Sequence, residues 1–230
     1  MLNDLKESVC AANLLLHELG LVHGTFGNVS GVDRSAWVMA IKPSGVPYDR
    51  LTPDTIVLVS LDSGAVVDSV LRPSSDTPTH VELYRAFPSA GGVAHTHSLY
   101  ATAWAQACRD LPCLGTTHAD HFRSSVPCTR ILSDAEIAGD YEANTGKVIA
   151  ETFAGRDPAA MQAVLVAGHG PFTWGETPEA AVRNADILEY LTRIAAITLQ
   201  ANPATVELPT ALRDRHFLRK HGRDAYYGQR

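Results

Sequence analysis

The chain has 230 residues, of which 45% are hydrophobic and 19% charged, and its formal net charge at pH 7 is −6. That length suits one domain, or at most two tightly packed ones, built on one large core. The negative balance argues against a nucleic-acid or anionic-membrane surface, so an anionic ligand needs a local pocket.

Cysteine usage and the N-terminal residues predict a reducing compartment. The four cysteines form no Cys-x-x-Cys pair, which argues against a Cys-based zinc site and against the disulfide framework of a small secreted protein. The first residues mix acids with apolar side chains and lack the apolar core of a signal peptide. No apolar stretch approaches the ~20 residues that span a bilayer. We therefore expect a cytoplasmic protein with neither a membrane nor a nucleic-acid partner.

The N-terminal half is typical of a helix followed by short strands. Apolar residues recur at helical spacing from Leu5 to Leu19, and Gly20 follows as a helix stop. Thr77 and Pro78 predict a second helix that runs to about residue 87, with Thr77 as its N-cap. Between these helices we expect, in chain order, a polar glycine-containing loop over 24–31, a strand over 37–41, a turn over 42–45 and a hairpin of strands 55–59 and 65–70.

The C-terminal half alternates apolar runs with helix-start signals. Residues 92–97 and 163–167 are each typical of a buried strand. The helix-start signals are at Ser98, at Ser133 in a capping box, and at Thr177 before a proline. The tail from Leu212 is basic. Adjacent short strands with helices before and after them predict an α/β sandwich on a largely antiparallel sheet, as one domain over 1–230.

Two histidines at the end of the run 92–97 are the most informative feature of the chain. Strand side chains alternate faces, so His95 and His97 project to the same side. A third histidine, His169, follows the second apolar run in a Gly-His-Gly-Pro turn. One such histidine alone is usually a hydrogen-bonded core residue, but the three together favour a metal centre. Three protein ligands with one open position indicate catalysis. A non-catalytic metal-binding protein is the alternative from another class.

Small polar residues in three loops indicate a pocket for phosphate. Asp76 is either a fourth metal ligand or a plain helix-capping carboxylate. Three loops, each typical of a plain turn, together suggest anion binding, because one precedes a helix N-terminus and Lys42 can add a cation. The candidate phosphate ligands are Gly27, Asn28, Ser44, Gly45, Ser74 and Ser75.

Two further candidates lie in the segment 116–121 and in the tail. The segment concentrates titratable residues in what is otherwise typical of an exposed loop, and His118 and Asp120 have the spacing of a competing metal pair. Because the other histidines suffice for a metal, we assign Asp120 to acid/base chemistry. Tyr227 is either an unattached terminal residue or one that docks on a neighbouring subunit, where its phenol can exchange a proton.

Seven segments of the chain carry a family resemblance: 25–30, 41–46, 73–80, 94–98, 115–120, 169–172 and 219–229. Together they resemble the class II aldolase and ribulose-phosphate 4-epimerase superfamily. The His-Thr-His strand and the Gly-Asn loop are similar to the whole superfamily, whereas the Thr-Thr-His-Ala-Asp segment and the Tyr-Tyr-Gly-Gln tail resemble its epimerase branch. Phe26 departs from that branch, in which we expect a tryptophan.

The resemblance implies a three-layer α/β/α sandwich around a largely antiparallel sheet, assembled as a homotetramer with active sites at subunit interfaces. The implied cofactor is one divalent ion per subunit, held by Asp76, His95, His97 and His169, with zinc first and manganese or cobalt as alternatives. Asp120 and Tyr227, the latter from a neighbouring subunit, become acid and base. The implied substrate is a small sugar phosphate, epimerised at C4 by carbon–carbon cleavage. A class II aldolase of the fuculose- or rhamnulose-phosphate type is the alternative.

Overall fold

The computed structural model describes residues 2–228, which form eight α-helices and seven β-strands. The helices are α1 (Leu2–Glu18), α2 (Thr77–Ala86), α3 (Leu99–Gln106), α4 (Thr116–Ala119), α5 (Asp134–Ala138), α6 (Tyr141–Thr152), α7 (Pro178–Ala201) and α8 (Thr210–His221). The strands are β1 (Asn28–Asp33), β2 (Val38–Ile41), β3 (Val57–Ser60), β4 (Val66–Asp68), β5 (Gly92–His95), β6 (Ala163–Leu165) and β7 (Pro171–Gly175).

These strands form one antiparallel sheet in the order β4-β3-β2-β1-β5-β7-β6. Helices cover both faces. On one face α1 and α7 bury Val29, Ala40 and Ala94, and on the other α2 and α6 bury Met39 and Val93. Neighbouring strand residues enter different cores because strand side chains alternate. The predicted α/β sandwich on an antiparallel sheet is confirmed. None of the helices in residues 2–228 has the length and apolar character that crossing a bilayer requires.

Three of the four predicted helix starts, those at Ser98, Ser133 and Thr177, are confirmed. Ser133 and Glu136 form both hydrogen bonds of a capping box, and the Thr177 hydroxyl accepts from the Ala180 amide at 3.1 Å. The prediction of Thr77 as the N-cap of α2 is wrong. The N-cap residue is Asp76, because helical hydrogen bonding already starts with the carbonyl of that residue.

The loop predicted over 24–31 is wrong in its second half, because residues Asn28–Asp33 form β1 at the centre of the sheet. This strand lacks a hydrophobic run because helices approach it closely. A Cβ on Gly31 would lie 2.7 Å from the Pro178 side chain and 2.9 Å from that of Val9. A strand that carries glycine at such a contact is invisible to a pattern of apolar residues.

The strand register positions the candidate site. Asn28 pairs with His95 across β1 and β5, and His95 pairs with Phe172 across β5 and β7. Directly paired residues point to the same face of a sheet, so all three side chains meet at one end of one face. The segment before α2 reaches the same end, because the Ser74 amide donates to the Lys42 carbonyl at 3.0 Å.

Candidate metal centre and its cavity

His95 and His97 point into one cavity from the end of β5. The strand ends at His95, and the Nε2 atoms of the two rings lie 3.2 Å apart. His95 is 1% exposed and stacks on Phe172, with ring centroids 4.1 Å apart. The expected projection of both imidazoles to one side is confirmed.

His169 reaches the pair from the turn between β6 and β7. Its ring centroid lies 4.8 Å from that of His95 and 5.0 Å from that of His97. Gly168 has a φ of 74°, and a Cβ on Gly170 would lie 2.8 Å from a backbone carbonyl oxygen. The turn that presents His169 therefore requires both glycines. The ligand atoms of the three histidines all lie within 4.8 Å of one another.

The three imidazoles fit a divalent cation. Burial lowers the pKa of His95 to about 3 and lowers the pKa of His97 and of His169 below its ordinary value, so the rings are neutral at pH 7. The His95 Nδ1–H donates to the Pro171 carbonyl at 2.9 Å, which leaves the Nε2 lone pair turned toward His97. Nitrogens bonded at ~2.0–2.1 Å to a tetrahedral zinc ion lie roughly 3.3 Å apart, close to the observed separation. Their role as ligands stays a prediction.

Asp76 lies at the same cavity, and its side chain does not cap α2 although the residue occupies the N-cap position. Its side chain makes no capping hydrogen bond, and its Oδ2 accepts from the Asn28 amide at 2.6 Å. Burial raises the pKa of the Asp76 carboxyl, but the nearby rings of His95 and His80 outweigh burial and hold this pKa below its usual value. The cluster of convergent ligand atoms found in residues 2–228 consists of the three histidines without Asp76. Ligation by Asp76 stays a prediction.

The cavity has a volume of about 430 Å³ and brings all six candidate phosphate ligands together. It is lined by Gly27, Asn28, Ser44, Gly45, Ser74 and Ser75. Gly27 has a φ of 76°, and a Cβ there would lie 2.9 Å from the His95 carbonyl oxygen. The exposed Phe26 also lines the cavity, with its ring centroid 5.9 Å from that of His97. The binding of phosphate at these residues stays a prediction.

Lys42 supplies a buried cation to this cavity. It is 2% exposed and lines the wall, and its Nζ lies 4.9 Å from the centroid of the Tyr48 ring. Its hydrogen bonds go to the Thr25 and Pro43 carbonyls at 3.5 and 3.4 Å. Burial lowers the pKa of Lys42. Carbonyl oxygens and a ring face compensate a buried ammonium poorly, so an anion in the cavity gains a strong partner.

The sequence reasoning missed Tyr141 and Glu142 at the start of α6, and both line the cavity. The Tyr141 hydroxyl lies 3.4 Å from His169 Nδ1, which leaves His169 Nε2 for an ion. Packing of α6 on α2 brings these residues to the site, with the Thr79 hydroxyl donating to the Glu142 carbonyl at 2.6 Å. No local pattern in the sequence signals that contact.

Asp120 and Tyr227 lie together but outside the cavity. Arg219 Nη2 donates to Asp120 at 2.6 Å, and the Arg219 guanidinium lies 5.1 Å from the centroid of the Tyr227 ring. Lys220 Nζ lies 3.7 Å from Asp120 and 4.5 Å from the same centroid, and His216 Nδ1 lies 3.0 Å from Asp120. We call these five residues the tail cluster. Neither Asp120 nor Tyr227 is among the described residues that line the cavity. Their acid/base role therefore requires that both come from another subunit.

The competing metal pair His118–Asp120 is not formed. Residues Thr116–Ala119 form α4 instead of a loop, and side chains two apart on a helix do not face each other. The His118 Nε2–H donates to the Ser124 carbonyl at 2.9 Å, whereas Asp120 faces the tail cluster.

Comparison with known proteins identifies the family of this chain. The family described as "Class II Aldolase and Adducin N-terminal domain" matches residues 7–196. An L-fuculose 1-phosphate aldolase is 25% identical, with a TM-score of 0.78 over 93% of this chain and 94% of that one. The L-fuculose-1-phosphate aldolase of Thermus thermophilus is 25% identical, with a TM-score of 0.64 over 89% of this chain and 98% of that one.

A third structure shares the fold at lower identity. YgbL of Klebsiella pneumoniae is 23% identical, with a TM-score of 0.70 over 94% of this chain and 98% of that one. That protein is described as an aldolase, epimerase or decarboxylase. The family match spans most of the chain and includes all three histidines of the candidate metal centre. The chain therefore belongs to the family of class II aldolases and adducin N-terminal domains.

Proposed function

We propose that this chain catalyses the metal-dependent epimerisation of L-ribulose 5-phosphate at C4, which gives D-xylulose 5-phosphate. The observation that carries the proposal is that Asp120 and Tyr227 share one cationic cluster, separate from a cavity that combines three neutral imidazoles with polar loops. Carbon–carbon cleavage requires the imidazoles and the polar loops of the cavity. Inversion at C4 also needs two proton-handling groups.

Cleavage of the C3–C4 bond explains how C4 is inverted. Simple deprotonation at C4 is no route, because that hydrogen is not adjacent to the C2 carbonyl. Instead the C4 hydroxyl loses its proton and the bond breaks into glycolaldehyde phosphate and the enediolate of dihydroxyacetone. The aldehyde presents its other face, the bond re-forms and the new C4 hydroxyl regains a proton. A divalent ion at His95, His97 and His169, zinc with manganese or cobalt as alternatives, supplies Lewis-acid stabilisation of the charge that develops on cleavage.

The polar loops retain the phosphate-bearing fragment while it turns. Ser74 and Ser75 precede the ten-residue helix α2, whose free amide groups and dipole favour an anion. Ser44 and Gly45 add polar groups from the turn after β2, and the Lys42 ammonium adds a charge-assisted hydrogen bond. Retention matters because a released aldehyde makes the cleavage irreversible in practice, whereas a held one re-adds within the site.

Asp120 and Tyr227 of a neighbouring subunit accept and donate the protons of the reaction. Burial raises the pKa of Asp120, but hydrogen bonds from Arg219 and His216 outweigh burial and hold this pKa below its usual value, so Asp120 is a carboxylate at pH 7. The Arg219 guanidinium and the Lys220 ammonium lie against the Tyr227 ring, and the Tyr227 phenol is the second proton-handling group. We propose a homotetramer whose interfaces bring each tail cluster to the cavity of the next subunit.

A class II sugar-phosphate aldolase is the second candidate. The observation that favours it is the likeness at 25% identity to an L-fuculose 1-phosphate aldolase over 93% of this chain. Its chemistry is the same up to cleavage, but its fragments leave the site.

Product analysis separates the candidates. The purified protein is incubated with L-ribulose 5-phosphate or L-fuculose 1-phosphate, with and without EDTA. The products are followed by ³¹P NMR and by enzymatic trapping of dihydroxyacetone, which cleavage of the first substrate releases, and of dihydroxyacetone phosphate, which cleavage of the second releases. We expect D-xylulose 5-phosphate without trapped dihydroxyacetone, loss of turnover with EDTA and recovery with zinc. Trapped fragments favour the aldolase. A zinc-loaded protein that converts neither substrate overturns both and favours a non-catalytic metal protein.

A further inference from the structure

A series of buried, hydrogen-bonded hydroxyl groups ends at a histidine behind the candidate metal centre. His80 Nδ1 lies 2.7 Å from Ser30 Oγ, and Ser30 Oγ lies 2.8 Å from the Tyr84 hydroxyl. All three residues are 0% exposed. The His80 ring packs edge-on against Phe172, the residue on which His95 stacks. His80 therefore sits one ring behind the cluster of ligands.

The hydrogens along this series of hydrogen-bonded groups have one arrangement in which each hydroxyl finds an acceptor. Ser30 Oγ is the one side-chain hydrogen-bond partner of the Tyr84 hydroxyl among residues 2–228, so the hydrogen of this hydroxyl goes to Ser30 Oγ. Ser30 then donates its only hydrogen to His80 Nδ1. Burial lowers the pKa of His80 to about 4, so the ring is neutral at pH 7 and carries its proton on Nε2.

The His80 Nε2–H is buried and has no hydrogen-bond partner among residues 2–228. Native proteins rarely leave such a donor without an acceptor, since the unmade hydrogen bond costs free energy. Asp76 is the acceptor that the helix geometry offers. The His80 amide donates to the Asp76 carbonyl at 3.1 Å, so the two residues are one helical turn apart on the same face. Helix side chains lean toward the N-terminus, which directs the His80 ring toward Asp76.

We propose that His80 is a positioning residue whose Nε2–H donates to the Asp76 carboxylate, directly or across one buried water, when the metal centre is loaded. Asn28 already holds this carboxylate from β1, and His80 then holds it from α2. Ser30 and Tyr84 fix the tautomer that makes His80 a donor. The inference rests on the proposed metal site, and it is independent of the choice between epimerase and aldolase.

Zinc affinity of the full-length protein, measured by competition with a chelator, tests this role. His80→Phe removes the donor and weakens zinc binding ~10-fold, whereas His80→Gln keeps a donor near the Nε2 position and stays within ~3-fold of wild type. In an Asp76→Asn background the same His80→Phe change adds less than ~2-fold, because the carboxylate it holds is gone.

His118→Gln is the matched control. His118 is also a buried histidine whose pKa burial lowers to about 4, but it bonds the Ser124 carbonyl away from the cavity. We expect unchanged zinc affinity in this variant. The proposal is overturned if His118→Gln weakens zinc binding as much as His80→Phe, or if the effect of His80→Phe is undiminished beside Asp76→Asn.

Histidine ¹⁵N NMR supplies a readout that needs neither zinc nor substrate, so it stays valid if the proposed function fails. The His80 signals are identified by their absence from the His80→Gln spectrum. We expect the Nε2–H tautomer between about pH 6 and 8, and a mixture of tautomers in Tyr84→Phe, which also serves if His80→Phe does not fold. The Nδ1–H tautomer in the wild-type protein overturns the proposal.

Discussion

Replacing Lys42 by methionine separates the effect of its buried charge on stability from the effect of that charge on phosphate binding. The side chain is 2% exposed, its polar contacts are backbone carbonyls and the Tyr48 ring face, and burial lowers its pKa. Methionine matches the apolar stem and removes the charge. We therefore expect Lys42→Met to leave the free energy of unfolding of the ligand-free protein unchanged or higher.

The affinity of Lys42→Met for phosphate is expected to fall, although its stability does not. A hydrogen bond to a charged group contributes ~1.5–3 kcal/mol, and a tenfold change in affinity corresponds to ~1.4 kcal/mol. Loss of one such bond therefore weakens binding of inorganic phosphate, and raises the KM of a sugar phosphate, by roughly 10- to 150-fold. A ligand without phosphate is bound as before.

Isothermal titration with inorganic phosphate and urea unfolding of the same samples measure the two effects. Lys147→Met is the matched control, because Lys147 is an exposed lysine on α6, so its replacement removes the same formal charge away from the cavity. Wild-type phosphate affinity in Lys42→Met, or an equal loss in Lys147→Met, refutes the reasoning.

Three further outcomes follow from the site. Asp120→Asn should lower turnover ~100-fold with zinc content unchanged, whereas Asp214→Asn, which removes a half-buried carboxylate paired with Arg123, should leave turnover unchanged. Near-normal turnover in Asp120→Asn contradicts the acid/base role. Tyr141→Phe should weaken zinc binding ~10-fold through loss of the contact with His169, and unchanged affinity removes Tyr141 from the site. Zinc requires neutral imidazoles, and burial lowers the pKa of all three ligand rings, that of His95 to about 3. Zinc affinity should therefore be constant from about pH 8 to pH 7 and fall only as the pH drops below the ordinary histidine value near 6.5; a fall that begins at about pH 7.5 contradicts the assignment.

The cluster of three histidines was predictable because its signals are local. Alternation along a strand alone places His95 and His97 on one side, and a glycine-flanked turn presents His169. The polar loops also meet at one cavity as expected. The loops that carry Ser44 and Ser74 adjoin β2 and α2, which the pattern identified, whereas Asn28 begins β1, which the pattern missed. The capping box at Ser133 is another local feature that the sequence reveals in full.

Features set by long-range packing escaped the sequence. Strand β1 is central, yet the approach of α1 and α7 to Gly31 excludes the hydrophobic side chains that mark a buried strand. Tyr141 reaches the site through the packing of α6 on α2, and the donor state of His80 depends on Ser30, which is 50 residues away in sequence. No period of apolar residues encodes such contacts.

The tail illustrates a third limit. Nothing in the spacing of Asp120 and Tyr227 indicates that they meet, because Arg219 and Lys220 join them across 107 positions of the chain. Their shared cluster lies apart from the cavity of the same chain, so in the proposed mechanism the relevant distance is one between subunits. A single sequence carries no direct signal for that distance.

Zinc content is the most direct measurement of the central claim, that His95, His97 and His169 hold one divalent ion. The wild-type protein and His97→Asn are equilibrated at the same buffered free zinc concentration, desalted and analysed by mass spectrometry of the metal, with circular dichroism to check that both are folded. We predict one zinc ion per wild-type subunit and a small fraction of that in His97→Asn. A folded His97→Asn protein that retains one full equivalent contradicts the account.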